Sequence, residues 1–241
     1  MNPTSNLKNR LEWVRARVVE AAGARAPAVS LLAVSKGQSA QAIAELYQFG
    51  QRDFAENYAQ ELISKAGDLK TQGCAEIRWH FIGHLQTNKV RAVLPWVRSV
   101  HSVDSEKLAL ELSRRWIALR GESTELLEVF VEVNIGSENS KAGVRLSEVT
   151  GLVEKISKLP GLSLQGLMCI PAPGEGPASF QKLRDLEKKF TGFSDPDLEK
   201  KLRPMTHEKL SMGMSEDFEE AIQAGATHVR VGTAIFGPRN P

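Results

Sequence analysis

A chain of 241 residues, 41% hydrophobic and 25% charged, is long enough to bury a sizeable core and ordinary in composition for a globular protein. Its formal net charge of +2 is too near neutral for an electrostatic nucleic-acid or membrane surface, and no apolar run nears the roughly 20 residues that span a bilayer. Two widely separated cysteines, Cys74 and Cys169, imply neither a disulfide framework nor a metal site, and the polar start Met1–Leu11 lacks a signal peptide's apolar core, so the chain is expected to be cytoplasmic.

Leu7, Leu11, Val14 and Val18 recur at helical spacing and predict an amphipathic helix closed by Gly23 and Pro27, which with its connection fills residues 1–28. A strand over 30–35 ends abruptly at Lys36 and is followed by a helix through Ala42, Ile43 and Leu46 to Gly50. Asp53–Ala55 reads as a short strand stopping at Glu56-Asn57, residues 59–71 as a helix, Ile77–Ile82 as a strand and Thr87–Val93 as a helix. Val97–Val103 is a fourth strand, and Asp104 or Ser105 caps the helix that runs on through Leu119. Leu126–Ile135 is the longest strand pattern; a polar loop, 136–143, and a helix over 146–159 follow it.

Leu162–Ile170 is the sixth strand, and residues 171–177, rich in Pro and Gly, hold no regular structure. A helix over 179–190, a polar excursion over 192–204, a strand ending near Leu210 and a helix over 215–224 precede the last strand, 228–231, and a helical stub at 233–236. Strict alternation of eight strands with helices implies a parallel sheet covered by helices. The expected fold is α/β, a single (β/α)8 TIM barrel over 1–241 with an extra N-terminal helix; a doubly wound open sheet is the alternative.

Active groups of such barrels collect at the C-terminal strand ends. There the chain offers Lys36, Asn57, His84, Asn134, Met168, Ser211, Arg230, Gly232 and Thr233, a polar rim. A lysine at the tip of a buried strand is in the setting that lowers an ammonium pKa and lets the amine attack an aldehyde. The turns Ser211-Met212-Gly213-Met214-Ser215 and Val231-Gly232-Thr233 sit after strands seven and eight, where phosphate groups bind in these barrels. Closure would bring Lys36 beside that cup. A Schiff-base lysine next to a phosphate site fits pyridoxal 5′-phosphate (PLP), and also a sugar-phosphate aldolase.

Arg230 and Gly232 share one face of the last strand, so Arg230 would meet the pyridine nitrogen. It cannot accept a proton and would leave the ring a poor electron sink. The competing reading pairs Arg230 with Glu56 or Glu132. His84 reads equally as a structural histidine or a ligand contact, and Met168 first as packing.

The motifs Ala33-Val34-Ser35-Lys36, Glu56-Asn57-Tyr58, His80-Phe81-Ile82-Gly83-His84-Leu85-Gln86-Thr87-Asn88-Lys89, Leu210–Ser215 and Arg230–Gly237 resemble the pyridoxal phosphate homeostasis protein family over nearly the whole of Leu31–Gly237. The resemblance implies a barrel like the N-terminal domain of alanine racemase, with the cofactor on Lys36. It also implies Ser211, Gly213, Gly232 and Thr233 around the phosphate, and Arg230 towards the ring nitrogen. Asn57 and Met168 complete the expected cofactor-binding set; no catalytic residue and no metal ligand is assigned.

The resemblance implies cofactor handling in vitamin B6 homeostasis, without established catalysis, by a monomer; transient contact with PLP-dependent apo-enzymes is the expected partnership. Gly37-Gln38 replaces the usual Thr-Lys, and Ala55 the usual glycine before Glu-Asn. Lys141 in the polar loop is a candidate mobile acceptor for handing the cofactor on. A PLP-dependent racemase is the alternative, but it needs an opposing base that related racemases take from a second, mainly β domain, which is not expected beyond Pro241.

Overall fold

Eight parallel strands close on themselves: β1 (Ser30–Val34), β2 (Asp53–Glu56), β3 (Arg78–Phe81), β4 (Val97–Val103), β5 (Leu127–Asn134), β6 (Leu162–Met168), β7 (Lys209–Ser211) and β8 (His228–Val231). This is a computed structural model, and it describes residues 7–121, 123–136, 142–190 and 209–238. The predicted excursion 192–204 and Lys141 lie outside the described residues. Closure rests on two ladders. β4 pairs with β5 (Val100↔Val129), and β8 pairs with β1, from Ser30↔His228 to Ala33↔Val231. The TIM-barrel expectation holds, and the open-sheet alternative falls with the β4–β5 pairing.

The helices are α1 (Leu7–Ala22), α2 (Ala40–Gln48), α3 (Ala59–Thr71), α4 (Val90–Val93), α5 (Glu106–Arg120), α6 (Val149–Ile156), α7 (Gly176–Lys188), α8 (Phe218–Gln223) and α9 (Thr233–Phe236). Ser39 and Ser105 cap α2 and α5, their hydroxyls accepting from the N–H groups of Ala42 (3.2 Å) and Leu108 (3.4 Å). The helix expected over 146–159 starts only at Val149. Val144–Arg145 first pairs with the end of β5, and Glu148 N donates to Arg145 O, so the chain must turn before it can coil. Conversely α7 begins at Gly176, three residues early, because Pro177 fits a first helical turn.

α1 buries Leu11, Val14, Val18 and Ala22 against the barrel's outer layer. Its arginines fasten it to the last helices. Arg10 donates to the carbonyls of Ile235 (2.7 Å) and Phe236 (3.1 Å), and Arg17 grips Glu219. The extra helix thus braces α9, directly behind the Gly232-Thr233 turn.

Period-two alternation decides what faces the barrel axis. On β1, Ala33 packs outward into the main core, whereas Leu32 and Val34 join Ala55 and Ile82 in a separate small cluster inside. Continuing that parity gives Lys36 and Asn57 inward positions at the mouth. On β8, Val229 and Val231 belong to the outer core and leave His228, Arg230 and Gly232 inward. Deeper inside, His101 stacks on Phe130 with ring centroids 4.2 Å apart. Among the described residues no helix is long and apolar enough to cross a membrane, and no cluster of His, Cys, Asp or Glu could hold a metal ion.

Gly83, just beyond β3, lets that strand end run against Asn57: a Cβ there would lie 2.1 Å from Asn57 O and 2.7 Å from its Cα. Gly83→Ala should therefore displace the β2 end and cost about 2–4 kcal/mol in urea unfolding. An unchanged midpoint would contradict this packing.

Candidate functional site

A cavity of about 310 Å³ opens at the C-terminal ends of β1, β2 and β8. Lys36, Asn57, Arg230, Gly232 and Thr233, all singled out in the sequence, line it together. Met168, Ser211 and Gly213 stand behind its wall instead. Register explains Ser211: it pairs with His228, two residues before Arg230, and so occupies the inward layer below the mouth. Met168 is fully buried where β6 ends. Gly213 (φ +90°) seats its turn on α8, where a Cβ would fall 2.5 Å from Ala221 Cβ. Exposed His84 lies 3.5 Å from Asp104 and faces a neighbouring groove that shares Asn57 with the cavity, while Asn134 is buried on β5.

The backbone on either side of Lys36 is anchored from beneath by a second lysine. Lys65 Nζ donates to Ser35 O (2.8 Å), Glu56 Oε1 (2.7 Å) and Glu61 Oε2 (2.7 Å). Ser35 Oγ donates to the same Glu56 oxygen at 2.7 Å, and Gly37 N donates to the same Glu61 oxygen at 2.8 Å. Burial pushes the Glu56 carboxyl up, opposed by Lys65. Burial would also raise Glu61, but hydrogen bonds from Lys65 and from Gly37 N outweigh it and hold that carboxyl low. Lys65 was not among the sequence-derived site residues; its i, i+4 spacing from Glu61 on α3 is the one local signal for it.

Arg230 is only 3% exposed. Its Nη1 donates to Ser211 Oγ and its Nη2 to Cys169 O, both at 2.9 Å. Hydrogen bonds to Glu56 or Glu132, the competing sequence reading, are not formed among the described residues. Burial lowers the guanidinium's affinity for its proton, partly offset by the charge of Glu132.

The two turns after β7 and β8 meet through Ser215, which sequence reasoning named only as a turn end. Its hydroxyl oxygen accepts from Gly232 N (3.2 Å) and Ala234 N (3.3 Å), its hydrogen is left for another acceptor, and the residue lines the cavity. Met214 N donates to Asp217 Oδ1 at 2.7 Å and tightens the same turn. Gly232 passes close to β1, where a Cβ would stand 3.3 Å from Val34 O. Asn57 Oδ1 is buried with no hydrogen-bond partner among the described residues. A buried acceptor in that state costs about 1–3 kcal/mol unless something bound in the cavity satisfies it. The Pro-rich segment 171–174, read from sequence only as irregular, forms part of the lip.

The family described as alanine racemase, N-terminal domain, matches residues 4–240. The pyridoxal phosphate homeostasis protein of Escherichia coli (strain K12) is 40% identical over 240 residues, 98% of each chain. The human protein of that name is 43% identical over 246 residues, 95% of this chain and 86% of its own. The structure of PipY from Synechococcus elongatus with PLP bound matches at TM-score 0.79 and 32% identity, covering 96% of this chain and all of PipY (100%). Alanine racemase of Corynebacterium glutamicum shares the fold at TM-score 0.64 and 14% identity, over 96% of this chain and 62% of its own. With its closed barrel, its inward Lys36 and a match over nearly its whole length, the chain belongs to the alanine racemase N-terminal domain family and is similar within it to the pyridoxal phosphate homeostasis proteins.

Proposed function

We propose that the chain holds PLP as a Schiff base on Lys36 and buffers or delivers it in vitamin B6 homeostasis, without turnover of its own. The observation that carries the reading is the convergence of Lys36, Asn57, Arg230, Ser215 and the Gly232-Thr233 turn on one cavity of about 310 Å³. The residues fit the group. A reactive amine stands on a braced backbone; the turn and the Ser215 hydroxyl offer donors to a phosphate; Asn57 brings an unsatisfied buried oxygen; and Arg230 offers a fixed donor to a ring nitrogen. When bound, PLP supplies an aldehyde for the lysine and, in enzymes, an electron sink.

Arg230 weakens that sink because a guanidinium has no proton acceptor, which favours holding over catalysis. Ser211 and Gly213 act from behind, one on Arg230 and one on the turn, and Met168 packs beneath. The reading takes 1–241 as one cofactor-binding domain, a cytoplasmic monomer that passes PLP to apo-enzymes in transient contact, with Lys141 in the hand-over. The PLP-bound PipY structure and the relatives' names support it. The racemase-like alternative has the shared fold behind it.

Spectrophotometric titration with PLP should show Lys36→Ala binding about a hundredfold more weakly, some 2.7 kcal/mol. Equal affinity would sink the reading. Incubating the PLP-loaded protein with L-alanine should leave the L form unchanged; inversion that disappears in Lys36→Ala would establish the racemase alternative.

Glu132, buried on β5 within the field of Arg230, gives a pH test. Burial chiefly, and the charge of Asp104, push its carboxyl up to about 7, against the pull of Arg230. Between about 4.5 and 7 the folded protein keeps a proton that the unfolded chain releases, so stability falls as pH rises through that window. Glu132→Gln removes the titration. Its stability relative to wild type should improve by about 2 kcal/mol between pH 5 and pH 8. Parallel profiles would contradict the buried carboxyl.

A further inference from the structure

From Arg230 a line of hydrogen bonds runs down the barrel interior to Asp53, which opens β2 at the opposite end. Arg230 Nη1 donates to Ser211 Oγ at 2.9 Å, and Ser211 Oγ lies 2.9 Å from His101 Nδ1. His101 Nε2 is 2.8 Å from Ser99 Oγ, Ser99 Oγ is 2.6 Å from His80 Nδ1, and His80 Nε2 is 3.0 Å from Asp53 Oδ1. Every member between Arg230 and Asp53 is buried. At the far end Arg78 forks onto Asp53, Nε to Oδ1 and Nη2 to Oδ2, each at 2.6 Å.

The chemistry of the two ends fixes the terminal bonds, and one order along the line gives every hydrogen an acceptor. A guanidinium only donates, so Ser211 Oγ accepts from Arg230, and the acceptor on the line for its own hydrogen is His101 Nδ1. A carboxylate only accepts, so His80 Nε2 carries a hydrogen, and with that hydrogen the ring's only one, Nδ1 takes the hydrogen of Ser99. Ser99 Oγ is left to accept from His101 Nε2. One His101 tautomer, with its hydrogen on Nε2, thus suits both ends of the line. Burial chiefly holds His101 well below the usual histidine range, which keeps it neutral. Phe130 stacks on it, and His80 and His228 meet it edge-on, so its plane is held.

We propose that Asp53 is a positioning residue for the mouth: through His80, Ser99, His101 and Ser211 it imposes one donor–acceptor order, and that order aims the Arg230 guanidinium at the cofactor ring. The proposal rests on the reading of Arg230 given above. If the order reversed, His101 Nδ1–H and Arg230 would both point hydrogens at Ser211 Oγ, whose own hydrogen would lose its acceptor on the line. The guanidinium would then compete for its only side-chain partner among the described hydrogen bonds.

Long-range proton–nitrogen NMR of the ¹⁵N-labelled protein, dialysed free of PLP at pH 8, reads the tautomers, and a PLP titration runs beside it. In wild type both His80 and His101 should carry hydrogen on Nε2 alone. In Ser99→Ala, His101 should become a mixture of tautomers and PLP should bind roughly fivefold more weakly. Asp53→Asn, at a partly buried site on the rim, should do the same to His80 and serves if Ser99→Ala does not fold. A wild-type ring protonated on Nδ1, or on both nitrogens, overturns the proposal. So does a tautomer change with PLP affinity unaltered, which would make the line structural only, or no tautomer change in either variant. A wild type with the expected tautomers that does not bind PLP would instead overturn the reading of the mouth and leave the order of the line standing.

Discussion

The constraint on which everything else depends is the pairing of the last strand with the first. With β8 beside β1 in the register Ala33↔Val231, strict alternation puts Leu32, Val34 and Lys36 on the same side of the wall as His228, Arg230 and Gly232. A slip of one residue in that ladder would turn the lysine outward and the valines of β8 inward, trading an apolar core face for the site. Because Ala33, Val229 and Val231 are all fully buried in the outer core, the hydrophobic effect holds the register. The placement of the reactive groups follows from burial of their neighbours.

Two buried cations flank the mouth and are handled in opposite ways. Lys65 is clamped by two carboxylates and a carbonyl, so its charge is compensated and its geometry fixed. That ties the loop carrying Lys36 to α3 and β2. Arg230 instead meets a hydroxyl and a carbonyl, and its field reaches Glu132, whose buried carboxyl is pushed up. A buried cation held by neutral dipoles keeps its charge available to a ligand, whereas one neutralised by a carboxylate does not. The contrast explains why the surroundings of Lys65 look like scaffolding and those of Arg230 like a binding device.

Much of this was legible in the sequence. The strands 97–103 and 228–231 and the helix 59–71 fall where periodicity puts them, because each is a regular run bounded by a turn or a cap. The inward parity of Arg230 and Gly232 followed from alternation alone. Depth along the barrel axis was not legible. Ser211 has the right parity and stands at a strand end, yet the stagger between β7 and β8 drops it one layer below the mouth. Ser215 takes its place at the cavity through a contact between two turns that no local pattern encodes. The line through His80, Ser99 and His101 depends on irregular register between β3 and β4, so its members carry no shared spacing in the chain.

The central claim is that Lys36, and not another lysine, is the amine that takes the aldehyde. Lys65 is its most instructive rival, being the more buried of the two but engaged in two ion pairs. Borohydride reduction of the PLP-loaded protein, followed by peptide mass mapping, decides between them. A single pyridoxyl adduct on the Lys36 peptide is the predicted result; an adduct on Lys65 or Lys209 with Lys36 unmodified would contradict the account.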